Sequence, residues 1–97
     1  MSNGNGNAQG KYVGNGSATL QVIKDGLGFK PKVLKIRSVV GEVVLQEGMP
    51  GAWKQLDTAV PAFLAATALE FHEFGFQIAS ADAGLNSNGV DYYYEAY

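Results

Sequence analysis

The stretch Val90-Asp91-Tyr92-Tyr93-Tyr94-Glu95-Ala96-Tyr97 constrains the fold more than any other part of the chain. Successive side chains of a β-strand point to opposite faces. Alternation therefore divides this segment into a face of Val90, Tyr92, Tyr94 and Ala96 and a face of Asp91, Tyr93, Glu95 and Tyr97. Tyrosines on both faces cannot all enter the core of a 97-residue protein. Tyr92 and Tyr94 are expected to pack inward. Tyr93 and Tyr97 are left to solvent or to a subunit interface, where aromatic residues are enriched.

The same period recurs upstream. Ala18, Leu20 and Val22 alternate with Thr19, Gln21 and Ile23, and Asp25-Gly26 follows as a hairpin-type turn signal. In Val33-Leu34-Lys35-Ile36-Arg37-Ser38-Val39, Leu34 and Ile36 would face the core while Lys35 and Arg37 face out. Gly41 breaks that strand, and Val43-Val44-Leu45 forms another, ended by Gly48-Met49-Pro50-Gly51. Leu69 and Phe71 share a strand face, as do Phe74, Phe76 and Ile78, and Asp82 to Gly89 reads as a turn-rich loop. One stretch breaks the pattern: Val60, Phe63, Leu64 and Thr67 fall at helical spacing behind Asp57, Thr58 and Pro61, which predicts a short helix near residues 59–66. Short strands with frequent turns predict an all-β domain over residues 11–97, a small antiparallel β-sandwich.

Residues 1–10 alternate Gly and Asn with no large apolar side chain beyond Met1. Such a segment cannot offset its ordering entropy by burial, so in isolation it is expected to be a flexible arm. Held by a neighbour, the arm would tie the protein into an assembly, with Asn3, Asn5 and Asn7 as its contact residues.

Charge and composition narrow the function. A net charge of -2 lacks the basic footprint of nucleic-acid binding. No apolar run approaches the roughly 20 residues of a membrane-spanning helix, and the sequence start lacks the basic and apolar regions of a secretion signal, which points to synthesis in a cytoplasm. Without cysteine there is no disulfide, thiolate metal site or thiol nucleophile. All seven basic residues lie between Lys11 and Lys54, whereas Asp57 to Glu95 contributes acidic ones alone. Such a chain can pair head to tail with copies of itself or present two solvated surfaces.

Catalytic candidates are sparse. His72 and Glu70 share a strand face, but two ligands without a third do not make a metal site. No serine sits in a nucleophile-elbow context, and Glu70 and Glu73 point to opposite faces of a strand, which spoils them as an acid/base pair. The expectation is a protein with no catalytic residue, metal or cofactor, one that works by contact. Lys30, Lys32, Lys35 and Arg37 form the densest basic cluster, read as a charged face that discourages edge pairing more than as a site for an acidic partner. Trp53, expected in a Pro-Gly loop, joins Tyr93 and Tyr97 as an interface candidate. Aromatics on an open sheet face also stack on sugars, so a glycan site competes with the interface reading.

The order of motifs resembles a module of bacteriophage virion proteins. The likeness is carried by Tyr12-Val13-Gly14-Asn15-Gly16, by Leu27-Gly28-Phe29-Lys30-Pro31-Lys32-Val33-Leu34-Lys35-Ile36, by Phe74-Gly75-Phe76-Gln77-Ile78, and by Leu85-Asn86-Ser87-Asn88-Gly89 running into the tyrosine strand. It covers residues 11–97 apart from Ala52 to Leu69. The resemblance implies a jelly-roll-like fold, a homotrimer and a place on the outside of a virion assembled in the host cytoplasm. It supplies no catalytic residue. Two roles are expected from it: a head decoration, or cement, protein clamping the major capsid protein, favoured by the short sequence and the arm, or a receptor- or glycan-binding module of a tail fibre.

Overall fold

A computed structural model describes residues 8–17, 21–23, 29–57, 60–72 and 75–97, with the backbone alone described at 21–23 and 72. The chain runs through β1 (Ala8–Val13), β2 (Gln21–Ile23), β3 (Val33–Ser38), β4 (Gly41–Gln46), β5 (Trp53–Leu56), β6 (Ala62–Phe63), β7 (Leu69–His72), β8 (Gly75–Ile78), a single helical turn α1 (Ala83–Asn86) and β9 (Asp91–Ala96). These strands form a large sheet in the order β1-β9-β3-β4-β5-β6 and a small one in the order β2-β8-β7. Every strand pairing is antiparallel. The all-β sandwich expected from the sequence is thus what forms. Its sheets divide six to three, with β3 to β6 a simple meander.

Alternation builds the core. Tyr92, Tyr94 and Ala96 of β9 are buried together with Leu34 and Ile36 of β3 and Val43 and Leu45 of β4. Leu69, Phe76 and Ile78 face them from the small sheet. The Phe76 ring meets Tyr94 edge-on at 5.2 Å and Tyr12 at 6.0 Å, which locks the two layers together. Each such apolar side chain contributes about 1.5–3 kcal/mol by leaving water.

Tyr12 and Tyr92 stack at 5.1 Å and turn both hydroxyls onto α1. Tyr12 donates to the Leu85 carbonyl at 2.7 Å, and Tyr92 donates to the Ala83 carbonyl at 2.6 Å while accepting from Ser87 N–H. A single turn leaves most of its carbonyls without helical partners, and these two phenols satisfy them from below. Asp82 caps the other end, accepting from Gly84 N–H at 2.8 Å. Its second oxygen meets the Lys54 ammonium at 2.6 Å, tying β5 to the helix. The turn-rich loop expected from the sequence therefore holds a capped, anchored turn of helix.

Two Asn/Gly motifs clamp each other. Asn86, fully buried, accepts from Asn15 N–H at 3.1 Å and donates to the Asn15 side-chain oxygen at 2.7 Å and the Ser17 carbonyl at 2.9 Å. Gly16 N–H bonds the Asn86 carbonyl, and Gly89 N–H bonds the Gly14 carbonyl. A Cβ at Gly14 would strike the Ser87 carbonyl oxygen, so only glycine permits this approach. The Gly14-Asn15-Gly16 and Asn86-Ser87-Asn88-Gly89 segments, near opposite ends of the chain, thereby form one structural joint.

Three expectations need correction. Ala62–Phe63 is extended and pairs with β5, so the helix near 59–66 does not form there; Thr58 and Ala59 lie outside the described residues. The helical spacing had no surface to cover, since Val60 is 83% and Phe63 53% exposed, and β5 offered a free edge instead. Trp53 is the first residue of β5, not a loop residue. Finally, β1 begins at Ala8, so residues 8–10 of the proposed arm belong to the sheet, in register with Ala96, Glu95 and Tyr94. A backbone ladder needs no large side chains, and Gly10 in particular makes room for the Tyr94 ring.

Candidate interaction face

One face of the large sheet is core and the other is open. Register fixes what the open face displays, because residues directly opposite in antiparallel strands share a side. One row reads Lys11, Tyr93, Arg37, Glu42 and Gln55 across β1, β9, β3, β4 and β5. The next reads Gln9, Glu95, Lys35, Val44, Trp53 and Phe63, reaching β6. Tyr97 follows Glu95 on the same side, its backbone bonded to Val33.

Tyr93, Tyr97 and Trp53 therefore stand on a single face. Tyr93 is 55% and Tyr97 41% exposed. They do not touch. Tyr93 and Tyr97 are four residues apart along a strand, about 14 Å, and Trp53 lies three strands away and one row over, about 16 Å from either. Between them runs a charged network. Arg37 Nε donates to Glu42 at 2.9 Å, its Nη1 lies 3.3 Å from Glu95, and the Tyr97 hydroxyl donates to Glu95 at 3.1 Å. Hydrogen bonding to Glu42, its charge and that of Glu95 hold the guanidinium even more firmly protonated than usual. The hydrogen bond to Glu95 and that carboxylate's charge push the Tyr97 phenol up.

The face has two characters. Around Tyr93 an open depression of about 570 Å³ is lined by Gln9, Lys11, Arg37, Tyr94 and Glu95. At the far end Trp53 and Phe63 pack edge-on at 4.9 Å, an aromatic pair half open to solvent. Phe63 does not stand out in the sequence because its spacing fits a helix; its signal is the aromatic pair bracketing the 53–63 segment. Lys11 and Glu95 give no signal, being ordinary surface residues until β9 is set between β1 and β3.

The charge asymmetry of the chain is answered inside it. Lys11 meets Asp91 at 3.5 Å, Arg37 meets Glu95, and Lys54 meets Asp82, each pair joining the basic half to the acidic half. The basic cluster also changes meaning: Lys35 and Arg37 lie on β3, a central strand, and so guard no edge. Lys30 and Lys32 are exposed in the segment before it.

Asn3, Asn5, Asn7, Glu73 and Phe74 lie outside the described residues, as do the Asp25-Gly26 turn signal and the His72 side chain. Glu70 accepts from Gln77 across the small sheet at 3.3 Å. Among the described residues no group of three or more His, Cys, Asp or Glu could hold a metal ion. Among them, too, no helix is long and apolar enough to cross a membrane. Comparison with protein-family models, with curated proteins and with solved structures finds no match to this chain.

Proposed function

We propose that this protein is a structural component of a virion, a head decoration protein of the cement kind that stabilises a shell through subunit contacts. The observation that carries the contact role is the open face of the large sheet, where Tyr93, Tyr97, Trp53 and Phe63 stand exposed or half-buried around a pre-ordered ionic network. Rigid aromatics bind at low entropic cost and dominate interfaces. The viral part of the proposal is supported by the motif resemblance, and its partners are the major capsid protein and further copies of the chain. In this role no catalytic residue or cofactor is required. The purified protein should associate with expanded capsids, and Tyr93→Ala combined with Trp53→Ala should abolish binding while leaving the melting temperature within a few degrees. A protein that ignores capsids in co-sedimentation would remove the reading.

The second reading, a glycan-binding tail module, is favoured by one feature, the depression in which Tyr93 is flanked by Lys11, Arg37 and Glu95. A glycan array separates the two, since a cement protein should be silent on it.

A further inference from the structure

The edges of the two sheets differ sharply. Among the described residues β6 offers two residues of edge, β2 three and β7 four, whereas β1 offers six. β1 pairs with β9 at every position from Ala8 to Val13 without a bulge, leaving its other edge straight. Natural sheets protect such edges with proline, bulges or unpaired charge. β1 has no proline, and its one charge, Lys11, is drawn toward Asp91 on the open face.

From these features we infer that β1 is a self-pairing edge, which joins two copies of the chain through antiparallel β1–β1 contact into one continuous sheet. The contact is isologous, with a two-fold axis through the strand pair. The open face must stay on one side, so odd positions pair with odd and even with even. Setting Lys11 opposite Lys11 of the second copy would oppose like charges. The neighbouring register avoids this by centring the axis on Gly10. It then places Gln9 opposite Lys11 of the other copy and Ala8 opposite Tyr12, so small inner residues meet the one bulky one. This contact is made by the backbone edge of β1, beside the aromatic face whose depression Gln9 and Lys11 line, and does not depend on the viral reading.

The chain lacks cysteine, which allows a direct test. In the Gly10-centred register the Cα atoms of residue 9 in one copy and residue 11 in the other lie about 4.5–5.5 Å apart, within disulfide reach. Residue 11 of each copy is then about 7–8 Å from its equivalent, beyond easy bridging. Full-length Gln9→Cys and Lys11→Cys variants, mixed and oxidised mildly, should form a covalent mixed dimer on a non-reducing gel. A mixture of Gln9→Cys and Val13→Cys, which keeps Lys11 and would bridge only with the axis on Lys11, should stay uncrosslinked. Light scattering of the wild type should report an even number of chains, two, or six if a three-fold contact also forms. Crosslinking of the Gln9→Cys and Val13→Cys mixture would overturn the register. No crosslink in either mixture, together with one or three chains by light scattering, would overturn the self-pairing edge.

Discussion

Tyr92 and Tyr94 differ from Tyr93 and Tyr97 in surroundings alone. Tyr92 is fully buried, stacked on Tyr12, with its hydroxyl bonded to the α1 turn on both its donor and acceptor sides. Tyr94 is 4% exposed and packs on Phe76. On the other side, Tyr93 has no ring partner among the described residues, and the Tyr97 hydroxyl bonds a surface carboxylate. The first pair holds the sandwich together. The second adds little to the isolated fold, and in the proposed function its exposed rings are what meets another molecule. A strand can therefore serve folding and recognition at once, one face for each, because its side chains alternate.

Substitution should divide the two faces cleanly. Tyr92→Ala should cost about 3–5 kcal/mol in urea unfolding, as for other buried aromatics, whereas Tyr93→Ala should stay within about 0.5 kcal/mol. Equal losses at both positions would break the division. Asn86→Ala, which removes the three bonds between its side chain and the 14–17 segment, should cost about 2–3 kcal/mol. It should also speed amide exchange at Gly16 and Gly89, whose N–H groups close the joint.

Alkaline pH sharpens the same contrast. Burial, and then the neighbouring Tyr92, push the Tyr12 phenol well above its ordinary value, and burial does the same to Tyr94. A group whose pKa is raised on folding contributes stability fully below its unfolded pKa and loses it as pH climbs toward the folded one. Stability should thus hold up to about pH 10 and fall above it, and Tyr12→Phe should flatten that decline in denaturant titrations run at successive pH values. A decline of unchanged steepness would remove Tyr12 as its source. The smallest effect belongs to Tyr97→Phe, which deletes an exposed bond to Glu95 and should change stability by less than about 0.5 kcal/mol, measured by thermal melting at neutral pH.

Much of this division is legible in the amino-acid sequence. The assignment of Tyr92, Tyr94 and Ala96 to the core, of Leu34 and Ile36 beside them, and of Tyr93 and Tyr97 to the outside follows from a period of two. The 59–66 segment is not legible because its apolar spacing fits a helix, while the deciding fact, a free edge on β5, lies outside the segment. The role of Gly14-Asn15-Gly16 is hidden for the same reason: its partner, Asn86, is 71 residues away from Asn15.

The sequence by itself determined which side of each strand is apolar, because side-chain alternation is a local property of extended backbone. Only the tertiary structure decided that the acidic β9 lies between the basic β1 and β3, turning an asymmetric chain into one that pairs its own charges. It likewise decided that Trp53 shares a face with Tyr93 and Tyr97, and that β1 is the longest edge strand among the described residues. Strand order and register are contacts between distant segments, and no local pattern encodes which distant segment will be the neighbour.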